Sequence, residues 1–228
     1  YERERPVELR VEVAGREIYQ ATVGSSANPG LRDFAMAALI VDGRQVHPRL
    51  SFDVNPTSRQ ILENLISMGY LAKLVHAGAR VHQPGCNGCI GMGQAPGTGK
   101  ISLRTVPRNF PGRSGTKDDQ VYLCSPETAA ASAVSGEITD PRALGPSYPR
   151  FQEPEEIIIN TSMLVPPVED GKTVELEKGP NIKPLPAFDP LPEDLEGPVL
   201  LKVGDDISTD EIMPAGTRAL PFRSNIPE

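Results

Sequence analysis

The chain has no tryptophan and only 5% aromatic residues. Its 228 residues include just three histidines and three cysteines. So few cysteines, two of them in a tight pair, exclude a disulfide-stapled secreted scaffold and fit a reducing compartment. Positive charge is also short: 23 Lys plus Arg face 30 Asp plus Glu, for a net charge of −7. An acidic balance with no basic cluster excludes a nucleic-acid partner, whose phosphates need a concentrated basic face. Long apolar runs are missing too. The longest, Phe34 to Val41, falls far short of the roughly 20 residues that cross a bilayer, so no membrane span is expected. Without a charged-then-apolar leader at its start, the expected setting is the cytoplasm.

What is abundant is glycine in one place. Between residues 85 and 99, six of fifteen positions are glycine, and the stretch opens Gly85-Cys86-Asn87-Gly88-Cys89-Ile90-Gly91. A C-x-x-C pair can chelate a soft metal, exchange with disulfides or form one. The glycines favour the first use, because they let the backbone turn sharply and approach an inorganic group closely. Zinc normally takes four ligands, and neither a second C-x-x-C nor a histidine pair is at hand to complete a set. Soft thiolates in a flexible loop suit iron–sulphur ligation instead.

The rest of the chain reads as alternating strands and helices. Val7 to Val13 and Glu17 to Val23 alternate apolar and polar residues as half-buried strands do, and Leu50 to Val54 forms another strand. Ser25 to Pro29 carries helix-start chemistry, followed by helical spacing at Leu31, Phe34, Ala35, Ala38 and Leu39. Thr57 to Met68 and Leu71 to Ala77 are further helices. Val121 to Leu123 is a short strand, and Ser125-Pro126-Glu127 caps a helix running to about Ser135. This order implies a mainly parallel sheet covered on both faces, a three-layer α/β/α domain over residues 1–150. From 151 to 197 the chain becomes a proline-rich acidic linker. Between Glu153 and Gly197 it holds eight prolines and 11 acidic residues against three lysines, with strand character only at Glu156 to Ile159. Val199 to Val203 opens a new element.

Three further stretches carry a resemblance: Val106-Pro107-Arg108-Asn109-Phe110-Pro111-Gly112-Arg113, then Tyr122-Leu123-Cys124-Ser125-Pro126-Glu127-Thr128, then Gly204-Asp205-Asp206-Ile207-Ser208-Thr209-Asp210-Glu211-Ile212. With the cysteine pair, and in this order, they resemble the aconitase superfamily: aconitase, homoaconitase and the isopropylmalate isomerases. The resemblance implies a [4Fe–4S] cluster held by three cysteines, with one iron left open to substrate. Cys86 and Cys89 match two of those ligands. Ser26 stands where the third cysteine is usual, in Gly24-Ser25-Ser26-Ala27-Asn28. Ser26 as an alkoxide, Cys124 at the start of a helix, or a ligand from outside the chain are the competing ways to fill that place; the cluster could equally be absent or labile.

The resemblance also implies that Arg108 and Arg113 grip substrate carboxylates, since arginine holds a carboxylate through two parallel hydrogen bonds. Pro107 replaces a common asparagine of the pattern. Asp210 matches an active-site aspartate, with Glu211 in place of the usual histidine. Arg223 aligns with a further substrate arginine, and Asn28 lines the site beside the cluster. His47, His76 and His82 take no acid–base role, because the family's catalytic histidines lie upstream of this chain; His82 is kept as a support for the cysteine loop. Residues 198–228 read as the opening of the family's swivel domain, and the whole as an internal piece of a longer polypeptide. The implied activity is that of an aconitate hydratase, interconverting citrate and isocitrate through cis-aconitate. The alternatives are homoaconitase, 3-isopropylmalate dehydratase or a cluster-free binding homologue. The implied partners are a small tri- or dicarboxylate and the remainder of the same polypeptide.

Overall fold

The structure, a computed structural model, describes residues 13–25, 29–145, 148–180, 182–184, 186–205, 207 and 211. The chain divides into two units, Tyr1–Ser162 and Met163–Glu228.

The first unit is built on five parallel strands: β1 (Gln20–Gly24), β2 (Ser51–Asn55), β3 (Arg80–Val81), β4 (Ile101–Arg104) and β5 (Gln120–Leu123). They lie in the order β3-β2-β1-β4-β5. Ala21 stands beside Phe52 on one side and Leu103 on the other, while Thr22 stands beside Asp53 and Arg104. Strand side chains alternate between faces, so this register sorts the sheet into two unlike surfaces. Ala21, Val23, Phe52, Val54, Ile101 and Leu103 form an apolar face. Gln20, Thr22, Asp53, Ser102 and Arg104 form a polar one, and all of them are buried.

Four helices share the apolar face: α1 (Leu31–Val41), α2 (Arg59–Ser67), α3 (Tyr70–Ala77) and α4 (Pro126–Ser135). The alanine-rich α4 packs closely against α1, which also meets α3. Phe34, Phe52, Leu65, Leu74 and Leu103 are fully buried here, each worth roughly 1.5–3 kcal/mol of transfer free energy. Local chemistry sets the helix ends. Ser58 Oγ accepts from the Ile61 amide at the start of α2, and Ser125 Oγ from the Thr128 amide at the start of α4. α3 is bounded by Gly69 and Gly78, both left-handed.

The α/β class and the parallel sheet agree with the sequence. Among the described residues the polar face is covered not by helix but by the long connection from β3 to β4, which carries the cysteines. Several local expectations shift. β1 begins at Gln20 rather than Glu17, which makes only an isolated antiparallel bridge to Glu137. α1 is opened by Gly30, whose amide donates to Asp33 Oδ2, rather than by the polar residues before Pro29. Glu156 to Ile159 is not a strand. Its backbone is held by two side chains of α2: Asn64 Oδ1 accepts from the Ile158 amide, and Asn64 Nδ2 and Gln60 Nε2 both donate to the Ile158 carbonyl. Those residues therefore belong to the first unit. The strand expected from Val7 to Val13 lies, Val13 apart, outside the described residues.

In the second unit the described residues form a single 3-10 turn, Gly171–Thr173, capped by Asp170. Val199 to Val203 takes no regular structure there. No helix among the described residues is long and apolar enough to cross a membrane.

One residue at the end of β1 has no room for a side chain. Gly24 has φ +104°, and a Cβ there would stand 1.9 Å from the Asn55 carbonyl oxygen. Gly24→Ala is expected to cost at least about 2 kcal/mol from the backbone conformation alone, lowering the melting temperature by several degrees. Thermal unfolding of the full-length protein checks this, and an unchanged melting temperature would contradict it.

Candidate metal and substrate site

Strand order reverses between β1 and β4. In open parallel sheets the crevice outside the carboxyl ends of such strands is where ligands bind. The chemistry-bearing loops converge on that end. β1 runs into Gly24-Ser25, β2 into Asn55-Pro56, β3 into His82 and the cysteine loop, and β4 into Thr105 and the Arg108–Arg113 loop. The ends are tied together: Gly24 N donates to Thr105 Oγ1, Ser25 N to the Asn55 carbonyl, and Gly85 N to the Pro56 carbonyl.

Cys86 and Cys89 are both free thiols, with their sulfurs 3.5 Å apart. That is contact, not the roughly 2.05 Å of a disulfide. Cys89 is buried and Cys86 exposed. Cys89 sits in a single 3-10 turn, Gly88–Ile90, ending on a left-handed Gly91. Gly91 is required by packing as well as by φ, because a Cβ there would lie 2.2 Å from the Ser114 carbonyl oxygen. Ser114 belongs to the arginine loop, so the two motifs are pressed together backbone to backbone.

Arg113 completes the contact. It is buried, its Nη1 donates to the Cys89 carbonyl at 3.1 Å, and its Nη2 lies 4.0 Å from Cys89 Sγ. Partial desolvation by the loop pushes the Cys86 thiol up although it is exposed, the hydrogen bond and charge of Cys89 push it further, and the Arg113 guanidinium pulls it back down. Arg108 stands exposed on the same loop. The structure thus brings Cys86, Cys89 and Arg113 into one cluster. Ser26, Asn28, Asp210 and Arg223 lie outside the described residues.

Cys124 is not part of the cluster. It follows β5 with its side chain packed on the helix-side core, whereas the cysteine loop covers the opposite face of the sheet. Burial pushes its thiol up to about 12, against the expectation that a helix start would favour the thiolate. Its place in the fold therefore rules Cys124 out as the third cluster ligand. Among the described residues no group of three or more His, Cys, Asp or Glu side chains could hold a metal ion.

Three residues at this site were missed in the sequence. Arg104, fully buried on β4, donates to the Gly88 carbonyl at 2.8 Å, to Gln20 Oε1 at 2.8 Å, to Ser102 Oγ at 3.1 Å and to the Gln94 carbonyl. Burial lowers its pKa to about 10, opposed by Asp53 and Asp119, so it stays charged at neutral pH. Ser25 has φ +70°, a conformation costing about 1–2 kcal/mol in a residue with a Cβ, and its Oγ accepts from the Cys89 amide at 2.7 Å. Asp53 is buried on β2 and receives Gln20 Nε2, Ser51 Oγ and His82 Nε2, the last at 2.8 Å. His82 thus supports the sheet under the loop rather than the thiols. The alternation Ile101-Ser102-Leu103-Arg104 was the available signal for the first, and Phe52-Asp53-Val54 for the last.

The donor set suits an iron–sulphur group. Two reduced thiols converge beside a guanidinium. Arg113 Nε and both polar atoms of the Gln94 carboxamide are buried beside them with no hydrogen-bond partner among the described residues. Buried polar atoms without partners are costly, and a bound anionic group would accept from the two donors, Arg113 Nε and Gln94 Nε2. The cavity of about 220 Å³ lined by Gln20, Ser51, Arg80 and Lys100 does not mark this site, since it opens at the amino ends of the strands.

The sequence pattern of the aconitase family, described as aconitate hydratase, matches residues 3–136. The chain belongs to the aconitase family. Its similarity extends to the large subunit of 3-isopropylmalate dehydratase from Mycolicibacterium smegmatis, 43% identical over 133 residues, covering 58% of this chain and 31% of that protein. A large subunit of the same enzyme from Methanopyrus kandleri is 43% identical over 133 residues, 58% of this chain and 32% of that one. The homoaconitase large subunit of Thermus thermophilus is 41% identical over 136 residues, again 58% and 32%. The matched part of this aconitase-family chain spans about a third of the length of these relatives.

The thiol environment makes a direct expectation. In the metal-free protein, alkylation of Cys86 should have its pH midpoint above that of an ordinary cysteine, and Arg113→Met should move it higher still. Cys124, half-buried with its thiol raised to about 12, should have a higher pH midpoint than an ordinary cysteine. Mass-spectrometric mapping of iodoacetamide labelling against pH checks both; a midpoint for Cys86 at or below the ordinary value would contradict the first.

Proposed function

We propose that this chain is the cluster-bearing segment of a hydro-lyase that moves water across a carbon–carbon double bond in a small hydroxy-polycarboxylate, of the 3-isopropylmalate dehydratase or homoaconitase type. The observation that carries the reading is the meeting of the Cys86/Cys89 pair with Arg113 at the switch point of the sheet. The narrower substrate class is supported by the names of the relatives, which point to those two enzymes.

Cys86 and Cys89 would hold the [4Fe–4S] cluster, with the third ligand coming from Ser26 or from outside this chain. When bound, the cluster supplies a Lewis acid toward a hydroxyl and a carboxylate. The work of this chain's own residues is positioning. Arg113, fixed by the Cys89 carbonyl, presents a guanidinium edge whose Nε is uncommitted among the described residues. On resemblance, Arg108 of the same loop would add a second cation. Two guanidinium groups at one end of an anionic molecule fix its orientation, and holding it in register lowers the barrier that a free encounter would face. The tight seating of the arginine loop on Gly91 keeps that grip in a constant relation to the thiols. On resemblance, Asn28, Asp210 and Arg223 add polar contacts, with Asp210 in an acid–base network. Residues 198–228 would open the swivel domain, reached through the linker that precedes them. The remaining catalytic groups would come from the rest of the polypeptide or from a separate small subunit.

A second reading, aconitate hydratase, has its own support. The family is described by that activity, and this chain continues past the matched residues through the linker to the Asp210 motif, where the relatives named are large subunits.

A panel of 3-isopropylmalate, homoaconitate and citrate, given to the anaerobically reconstituted full-length protein, separates these. Turnover of 3-isopropylmalate or homoaconitate is expected, abolished in Cys86→Ala and retained in Cys124→Ala. Arg113→Lys is expected to raise KM by about thirtyfold or more, the scale of losing about 2 kcal/mol of charged contact. Turnover of citrate alone would replace the first reading with the second. Turnover of none, with no iron bound, would refute both.

A further inference from the structure

The buried guanidinium of Arg104 has no role in the reading above, and its surroundings are unusual. Arginine is almost never fully buried without a carboxylate partner. Arg104 is fully buried, yet among the described residues it makes no ion pair. The charges of Asp53 and Asp119 act on it without an ion pair, and one link to a carboxylate is indirect: Gln20 accepts from Arg104 through Oε1 and donates to Asp53 through Nε2. The amide stands between charge and countercharge. Two of the Arg104 donors instead reach backbone carbonyls of the cysteine loop, those of Gly88 and Gln94. These flank Cys89 on either side in sequence. Gly88 also accepts the Gly91 amide that closes the 3-10 turn, so the same carbonyl serves the turn and the arginine.

We propose that Arg104 is a positioning residue for the metal-binding loop. It pins the loop at both ends of the Gly88–Gln94 segment to the polar face of the sheet, and it holds beneath Cys89 a positive charge that makes no ion pair among the described residues. Arg113 then faces Cys89 from the loop side and Arg104 from the sheet side. An iron–sulphur group with thiolate ligands is anionic, and its reduction adds negative charge. A fixed cation below it favours both its retention and the reduced state. A lysine could keep the charge but not the fork that spans two carbonyls.

The second half of this proposal rests on the reading of Cys86 and Cys89 as iron ligands; the first half does not, and the test separates them. In the full-length protein, amide hydrogen exchange of Cys89, Gly91 and Gln94 is measured without metal. Iron and sulfide content and the reduction midpoint are measured after anaerobic reconstitution. The variants are Arg104→Gln and Arg104→Lys, with Cys86→Ala as the ligand-loss control. Both Arg104 variants should exchange those amides about tenfold faster or more, the scale of losing one charged hydrogen bond. Arg104→Gln should hold less cluster and show a lower midpoint; Arg104→Lys should keep the midpoint close to wild type. Unchanged exchange in either folded variant overturns the pinning role. A midpoint and cluster content unaltered by Arg104→Gln overturn the electrostatic role. Should Arg104→Gln fail to fold, the lysine variant decides the pinning role through exchange, and a lysine midpoint well below wild type overturns the electrostatic one. Wild-type protein that takes up no iron overturns the ligand reading and with it the electrostatic half, while the exchange measurement still decides the other.

Discussion

A guanidinium removed from water needs an acceptor for nearly every N–H it carries, and at Arg104 those acceptors come from two different parts of the chain. Gln20 and Ser102 belong to neighbouring strands of the sheet; the Gly88 and Gln94 carbonyls belong to the cysteine loop. Satisfying one buried cation therefore fixes the loop on the sheet. Everything else at the site follows from that seating. Cys89 is placed where Ser25 Oγ can take its amide, Gly91 where it meets Ser114, and Arg113 where it reaches the Cys89 carbonyl.

The sheet makes this possible by dividing its two faces. The helix side is a conventional apolar core of alanines, valines and phenylalanines, and it supplies the stability. The other side is a buried layer of Gln20, Asp53, Ser102 and Arg104, each hydrogen-bonded to another. Such a layer contributes little net free energy compared with hydrophobic packing, but it specifies one arrangement of the loop above it. Division of labour between the faces also explains why Cys124, for all its suggestive place before a helix, has no access to the other two cysteines.

Much of this was legible in the residues. The amphipathic spacing of α1 and α2, the Ser125-Pro126 start of α4 and the alternation in β2 all gave elements close to those observed. The C-x-x-C pair and the Arg108–Arg113 loop gave the candidate residues, of which the structure brings Cys86, Cys89 and Arg113 together. What escaped was the strand that matters most to the geometry. β4 is four residues long and ends in an arginine, so composition argued against a buried strand, and only the partners of Arg104 make its burial tolerable. Cys124 misled for the opposite reason. A helix start favours a thiolate only where its charge stays solvated, and here the half-buried thiol packs against the apolar core, which raises it to about 12. Glu156 to Ile159 looked like a strand, yet no neighbouring strand among the described residues offers a ladder, and Asn64 and Gln60 take the backbone groups of Ile158.

The central claim is that the Cys86 and Cys89 sulfurs share one iron-bearing centre that Arg113 borders. A crystal structure of the anaerobically reconstituted full-length protein, phased to show iron by anomalous scattering, tests it most directly. The account expects the iron signal bonded to both sulfurs, with the Arg113 guanidinium alongside and Cys124 remote on the far face of the sheet. Iron found at Cys124, or a Cys86–Cys89 disulfide with iron bound elsewhere, would contradict it.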